Sequence, residues 1–312
     1  IIIVETSRAS PGRPNPFPGQ GNIVDPNGDR NYTLVSRVGD VAVVAWGGII
    51  NDDTGVFTPY AMGIRRYLFA SQDEIYEVDL DLTINLTNPL QFKINGANLT
   101  PDGPNINRIE PWIDLGFEGV IGGYDEAVGV DNIITAQHQA PLSGVIEDAT
   151  YIAIGGSYTN MTAPYSLAYR AGITEIDQVI EMPTLIGVPS ALLPQEGELA
   201  PDGYVAFDVS THNQPDFWNV QIYQLPATLV WEVTLPGNHD FFHLPRFPDF
   251  QELPPEQRPT PYAYGGSLYM VVGGARLDSG FDYDQHEYVN EVRSRDQWSA
   301  WTRDAWFILI DF

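Results

Sequence analysis

Cysteine is absent from all 312 residues. That excludes disulfides, thiolate zinc sites, iron–sulfur clusters, thioether-linked haem and a cysteine nucleophile together, and it fits export through an oxidising compartment. Lysine is nearly absent: Lys93 stands alone beside fourteen arginines. Against these 15 cations stand 41 carboxylates, 25 Asp and 16 Glu, leaving a net charge of -26. Such a field repels phosphate backbones and anionic headgroups, so nucleic acid and membrane surfaces are not expected as partners. No apolar run approaches the roughly 18 residues of a membrane-spanning helix. Hydrophobic content of 43% with 18% charge marks a globular chain and argues against disorder. Two catalytic signatures are missing as well: the G-x-S-x-G elbow of serine hydrolases and a glycine-rich phosphate loop opening a helix. The opening IIIVETSRAS lacks an initiator Met and the pattern of a signal peptide, and reads as a mature or excised fragment.

What is abundant is glycine (29) and proline (25), spaced too closely for many helices but not for strands of five or six residues. The expected fold class is all-β, with two or three consecutive β-sandwich domains and few helices. Residues 32–38 and 41–46 flank Gly39-Asp40 and predict a hairpin. Residues 76–86 alternate acids with apolar residues, the pattern of a strand with one buried and one wet face. Further strands are expected over 112–115, 144–146, 150–154 and 165–170, and aromatic ones over 204–209, 218–223, 229–233, 241–244, 268–272 and 305–310. One helix is expected over 284–297, where Tyr288, Val289 and Val292 share a face. Pro248 to Pro261 reads as a surface loop.

Turn clusters set the expected boundaries: a strand and Pro-rich linker over 1–20, a sandwich over 21–103, a second β-rich unit over 104–198, and an aromatic-rich sandwich over 199–312. Pro183, Pro189, Pro194 and Pro201 exclude a central strand at the last boundary.

The run from Asn31 to Trp46, followed by TPYAMGIRR at 58–66 and VDLDL at 78–82, resembles the transthyretin-like, carboxypeptidase-regulatory-like sandwich modules of secreted bacterial proteins. More loosely, that module with Trp231-Glu232-Val233, Phe242-His243-Leu244-Pro245 and a Trp-rich terminal strand looks like large surface lipoproteins of predatory and myxobacterial-type bacteria, which often carry immunoglobulin-like domains. The resemblance implies an extracellular or cell-surface location and a sandwich fold, and assigns no chemistry.

The chemistry-bearing residues are few. Asp25, Asn27 and Asp29 place oxygens at alternate positions around Gly28, like the start of a calcium loop, and Asp52 with Asp53 forms a second acidic turn. Calcium is the one cofactor considered; an Asx-type turn explains the same residues. His239 and His243 have the spacing of a helical metal pair, but Pro236-Gly237 and Pro245 predict a turn and short strand there. Glu110, Asp114, Glu118, Asp125 and Glu126, around Trp112, Phe117 and Tyr124, could supply the two carboxylates of a glycosidase, although spacing alone does not set two of them across a bond. Trp298 and Trp301 lie in a polar segment and are candidates for stacking on a sugar, with burial the alternative. Asn31, Asn85, Asn98 and Asn160 begin N-x-S/T. Ile1, Ile2, Ile3 and Val4, beside the proline linker, form a strand suited to pairing with another subunit's sheet.

The functional expectation is a non-catalytic extracellular or cell-surface protein for adhesion or assembly, its partner a protein, including a second copy by strand addition, or a glycan. A carbohydrate-binding module or carbohydrate-active enzyme is the alternative, and a viral structural protein a further one.

Overall fold

The computed structural model describes residues 1–8, 21–24, 31–159, 162–200, 203–209, 213–224, 228–244, 254, 267–278, 280–285 and 297–310. The chain is all-β, as expected, with several antiparallel sheets packed together.

Strands are numbered in chain order. The first sheet runs β2 (Gly21–Val24), β1 (Ile2–Thr6), β3 (Gly39–Ile50), β4 (Phe57–Ala70) and β5 (Ile84–Asn85). A small sheet joins β10 (Ile133–Gln139), β6 (Asn88–Lys93) and β13 (Ile180–Glu181). The largest runs β18 (Thr228–Pro236), β17 (Phe217–Gln224), β20 (Ser267–Leu277), β21 (Trp298–Ile310), β12 (Thr162–Ile173), β11 (Thr150–Thr159), β7 (Ile106–Asp114) and β8 (Val120–Gly122). On its flanks β9 (Ala127–Gly129) pairs with β7 and β15 (Leu199–Ala200) with β21. The fourth sheet is β14 (Pro189–Leu193), β16 (Tyr204–Val209) and β19 (Phe241–His243), with the proline-bearing β14 at its edge, where a missing N–H costs no ladder bond.

Both expected internal boundaries are crossed by ladders. Across the one near residue 103, β6 pairs with β10 and β13; across the one at 198–199, β12 pairs with β21. The core follows the same path. Trp46 of β3, Met62 of β4, Tyr151 of β11, Phe207 of β16, Trp218 of β17 and Ile308 of β21 belong to one buried cluster.

Three expected elements differ. Residues 31–38 do not pair with β3, whose edges are taken by β1 (Val4 opposite Ala45) and β4 (Val44 opposite Ile64), so the segment crosses the face of the sheet. Of residues 76–86 only Ile84 and Asn85 enter a ladder. Gly144–Ile146 closes a 3₁₀ turn, with Gly144 at φ +62 and the Glu147 N–H donating to Gly144 O at 3.2 Å. Most of the helix expected over 284–297 lies outside the described residues, and Asp284 and Gln285 are in a turn. The loop from Pro248 to Pro261 lies outside them too, apart from Pro254.

One carboxylate inside the large sheet sets a pH dependence. Burial pushes Asp304 of β21 up to about 6, with Glu196 adding repulsion against a backbone hydrogen bond that lowers it. A folded-state pKa above the unfolded value makes the charged form costly at neutral pH, so this group adds stability as pH falls from about 7 towards 4. Asp304→Asn removes that cost. Its unfolding free energy at pH 8 is expected to exceed the parent's by about 1–2 kcal/mol, allowing for partial solvent access, and the gap to close near pH 4. Urea titrations at the two pH values measure it.

Candidate binding groove

The first sheet is covered on both faces. Its inner face carries Ala42, Val44, Trp46 and Met62 into the main core. Its outer face, Val4, Val24, Val43 and Ala45, is covered by the two segments that sequence pattern marks as strands, through Tyr32, Leu34, Val78, Leu80 and Leu82. Period-two alternation does this without a ladder, since every second side chain points at the sheet. Two glycines let the second segment lie close. A Cβ on Gly63 would stand 2.2 Å from Asp81 O, and one on Gly47 would stand 2.6 Å from Leu82 Cδ1.

These two segments do not hydrogen-bond as strands. The Tyr32 hydroxyl links them, donating to Val78 O at 2.5 Å, and burial, aided by Asp79, raises the Tyr32 pKa and keeps that proton in place. A tyrosine side chain thus spans the gap at one end, where paired strands would lie about 4.8 Å apart. Beyond it opens a groove of about 560 Å³, walled by residues 32–36 and 69–76 and floored by Val41, Val43 and Leu68. That volume falls within the roughly 300–1,000 Å³ of ligand sites. Its mouth is apolar: Val35, Val38, Phe69 and Tyr76 are exposed, and Ile75 is 96% exposed. Contiguous exposed apolar surface of this kind marks interaction sites. Among the described residues, the backbone N–H groups of residues 34–36 and 75–78 donate to no acceptor in the chain. Asp73 and Glu74 line the groove, and Glu77 and Asp79 stand exposed beside it.

Two residues before Leu68 of the groove floor, Arg66 joins buried Glu118 and half-exposed Asp148 in an ion-pair network. Arg66 of β4 donates from Nε to Glu118 Oε2 at 2.6 Å and from Nη2 to Asp148 Oδ2 at 3.1 Å, and Nη1 also pairs with Asp148. The guanidinium holds the Asp148 carboxyl below the usual carboxylate range. Glu118 Oε1 accepts the Tyr67 N–H at 2.6 Å, which fixes Tyr67 at φ +61 in a bulge of β4. Arg37 donates to Glu118 O at 2.9 Å, tying the end of the 31–38 wall to the same knot.

The residues singled out by sequence are placed elsewhere. Asp52 and Asp53 sit at the exposed tip of the β3–β4 hairpin, where Asn51 Oδ1 accepts the N–H groups of Asp53 at 2.9 Å and Thr54 at 3.0 Å: an Asx turn. Asp25, Asn27 and Asp29 lie outside the described residues. Among those described, no three His, Asp or Glu side chains gather as a metal site. His243 is in strand β19 with its ring 4.9 Å from Tyr204.

Trp298 and Trp301 are 8% and 3% exposed, packed with Trp112, Ile152 and Phe217 on the large sheet. As placed, these indoles present no face to a sugar, because the polar sequence around them belongs to a strand whose Trp face is buried. Ile2, Ile3 and Val4 are paired on both edges, with β2 and β3, and Ile1 directly precedes the strand. Their strand is thus occupied within its own sheet.

The carboxylates considered for glycoside hydrolysis are held separately. Glu118 is buried against Arg66, Asp114 accepts the Gly116 N–H at 2.9 Å, and Asp125 accepts the His138 N–H at 2.6 Å. Glu126 pairs with Arg108, which stands 3.6 Å from Glu110. Burial, then Glu126, raises the Glu110 pKa. Of the N-x-S/T sites, the Asn98 amide is engaged, donating to Ile186 O at 2.9 Å, and Asn160 lies outside the described residues.

Sequence reasoning missed the groove. Its signal was present in the two alternating segments, but alternation tells which side chains face inward and not whether the backbone finds a partner. No protein-family model matches the chain, and no curated protein matches it.

Proposed function

We propose that this chain is a non-catalytic recognition module of an extracellular or cell-surface protein, and that it binds its partner in the groove on the outer face of the first sheet. The observation that carries this reading is the apolar mouth at Val35, Val38, Phe69 and Ile75 over a groove of about 560 Å³. The cysteine-free, acidic composition supports the location. Recognition is favoured over assembly through Ile1 to Val4, because donating that strand to another subunit would empty a position between β2 and β3.

Selection of a displayed random-peptide library on the wild-type chain and on a Val38→Asp/Ile75→Asp variant tests this. Both positions are exposed, so the variant is expected to keep the parent's circular dichroism and melting temperature. Enrichment of peptides that bind the parent and lose at least about tenfold in affinity on the variant is the expected result. Peptides that bind both equally, or no enrichment, would overturn the reading.

A further inference from the structure

Two segments whose backbone N–H groups donate to no acceptor among the described residues flank the groove, 34–36 on one side and 75–78 on the other, with Val78 O taken by the Tyr32 hydroxyl at the closed end, over a floor of Val41, Val43 and Leu68. An exposed row of N–H and C=O groups is a template for strand addition, in which main-chain bonds give affinity and alternate side chains give selectivity. The apolar floor takes one face of an added strand. The other face meets carboxylates: Asp73 and Glu74 line the groove, and Glu77 and Asp79 alternate outward from Val78. Arg37, at the end of the first segment, is engaged by the Glu118 and Asp40 carbonyls. A second copy is a poor occupant, because each chain carries a net charge of -26 and no described strand alternates basic with apolar residues.

The geometry points to a short extended peptide, apolar on one face and bearing Lys or Arg on the other, inserted between residues 34–36 and 75–78. It makes backbone hydrogen bonds to one or both walls and sets its cations against Asp73, Glu74 and Glu77. Cross-strand pairs of opposite charge then add to the main-chain bonds and steer the encounter. This rests on the groove being the recognition surface.

The test is calorimetric titration of the chain with a synthetic hexapeptide alternating Lys and Val, capped at both ends. Saturable one-to-one binding is expected. It should weaken about tenfold or more when every second amide of the peptide is N-methylated, and by a similar factor for the Glu74→Lys/Glu77→Lys variant. A peptide of the same composition in two blocks, three Lys then three Val, should bind at least about tenfold more weakly. Equal affinity for the block peptide, or indifference to N-methylation, would reduce the interaction to charge and overturn strand addition. No binding of the alternating peptide would overturn the occupant. Groove-dependent library peptides of other chemistry would then leave the groove reading standing, and their absence would remove both.

Discussion

Arg66→Met is expected to cost about 3–5 kcal/mol of unfolding free energy, the loss typical when one member of a buried ion pair is removed and its partner left uncompensated. Glu118 is fully buried, and among the described residues Arg66 is the one cation paired with its carboxylate. Without the guanidinium, the carboxylate keeps, among the described residues, the Tyr67 N–H alone, and the Val145 and Leu115 carbonyls lose the donor they have in Arg66. Glu118→Gln is expected to cost less, because Arg66 retains Asp148 and both carbonyls. The double variant Arg66→Met/Glu118→Gln should cost clearly less than the sum of the two singles, since the stranded charge is gone. Urea denaturation of the four proteins measures this cycle. A loss under about 1 kcal/mol for Arg66→Met would place the pair among solvent-screened bridges and contradict its burial.

Trp218→Ala is expected to cost about 3–5 kcal/mol and to lower one transition shared by the whole described core. The indole is fully buried in β17, crosses Phe207 of β16 edge-on at 5.2 Å, and donates to Gly237 O at 3.1 Å. A Cβ on Gly274 would meet its ring at 2.5 Å, so the neighbouring strand is shaped to it. The same cluster contains Trp46 and Met62 of the first sheet, and ladders cross both expected boundaries. Heat unfolding of parent and variant should therefore each give one calorimetric peak, with matching calorimetric and van't Hoff enthalpies. Two resolved peaks, only one of them moved by the substitution, would instead mean independently folding units.

The parts of this fold that were legible from sequence are those where local pattern decides the outcome. The aromatic runs over 204–209, 218–223 and 305–310 are strands because aromatic and β-branched residues gather there in short runs, and the proline-studded stretch yields the edge strand β14. Pairing was not legible. Asp40 follows a turn glycine and invites a hairpin, but the edges of β3 go to β1 and β4, through contacts distant in sequence. Apolar Gly144–Ile146 reads as a strand until the positive φ of Gly144 turns it. Away from the groove, Asp52 and Asp53 sit in an Asx turn closed by Asn51, as the sequence of that turn allows. Trp298 and Trp301 sit among polar residues in sequence, while burial is set by what packs on their sheet face. The groove was unreadable because it depends on a backbone left without a partner, a property of the assembled sheet.

The most direct measurement is amide hydrogen exchange across residues 34–36 and 75–78, with and without a saturating groove-binding peptide. In the free chain these amides should exchange far faster than those of β3, whose ladders are satisfied on both edges, because exchange protection follows hydrogen bonding and local opening. Bound peptide should slow them at one or both walls and leave β17 and β20 unchanged. Amides already protected in the free chain, or binding that protects residues elsewhere and not these, would contradict these unpaired segments as the recognition surface.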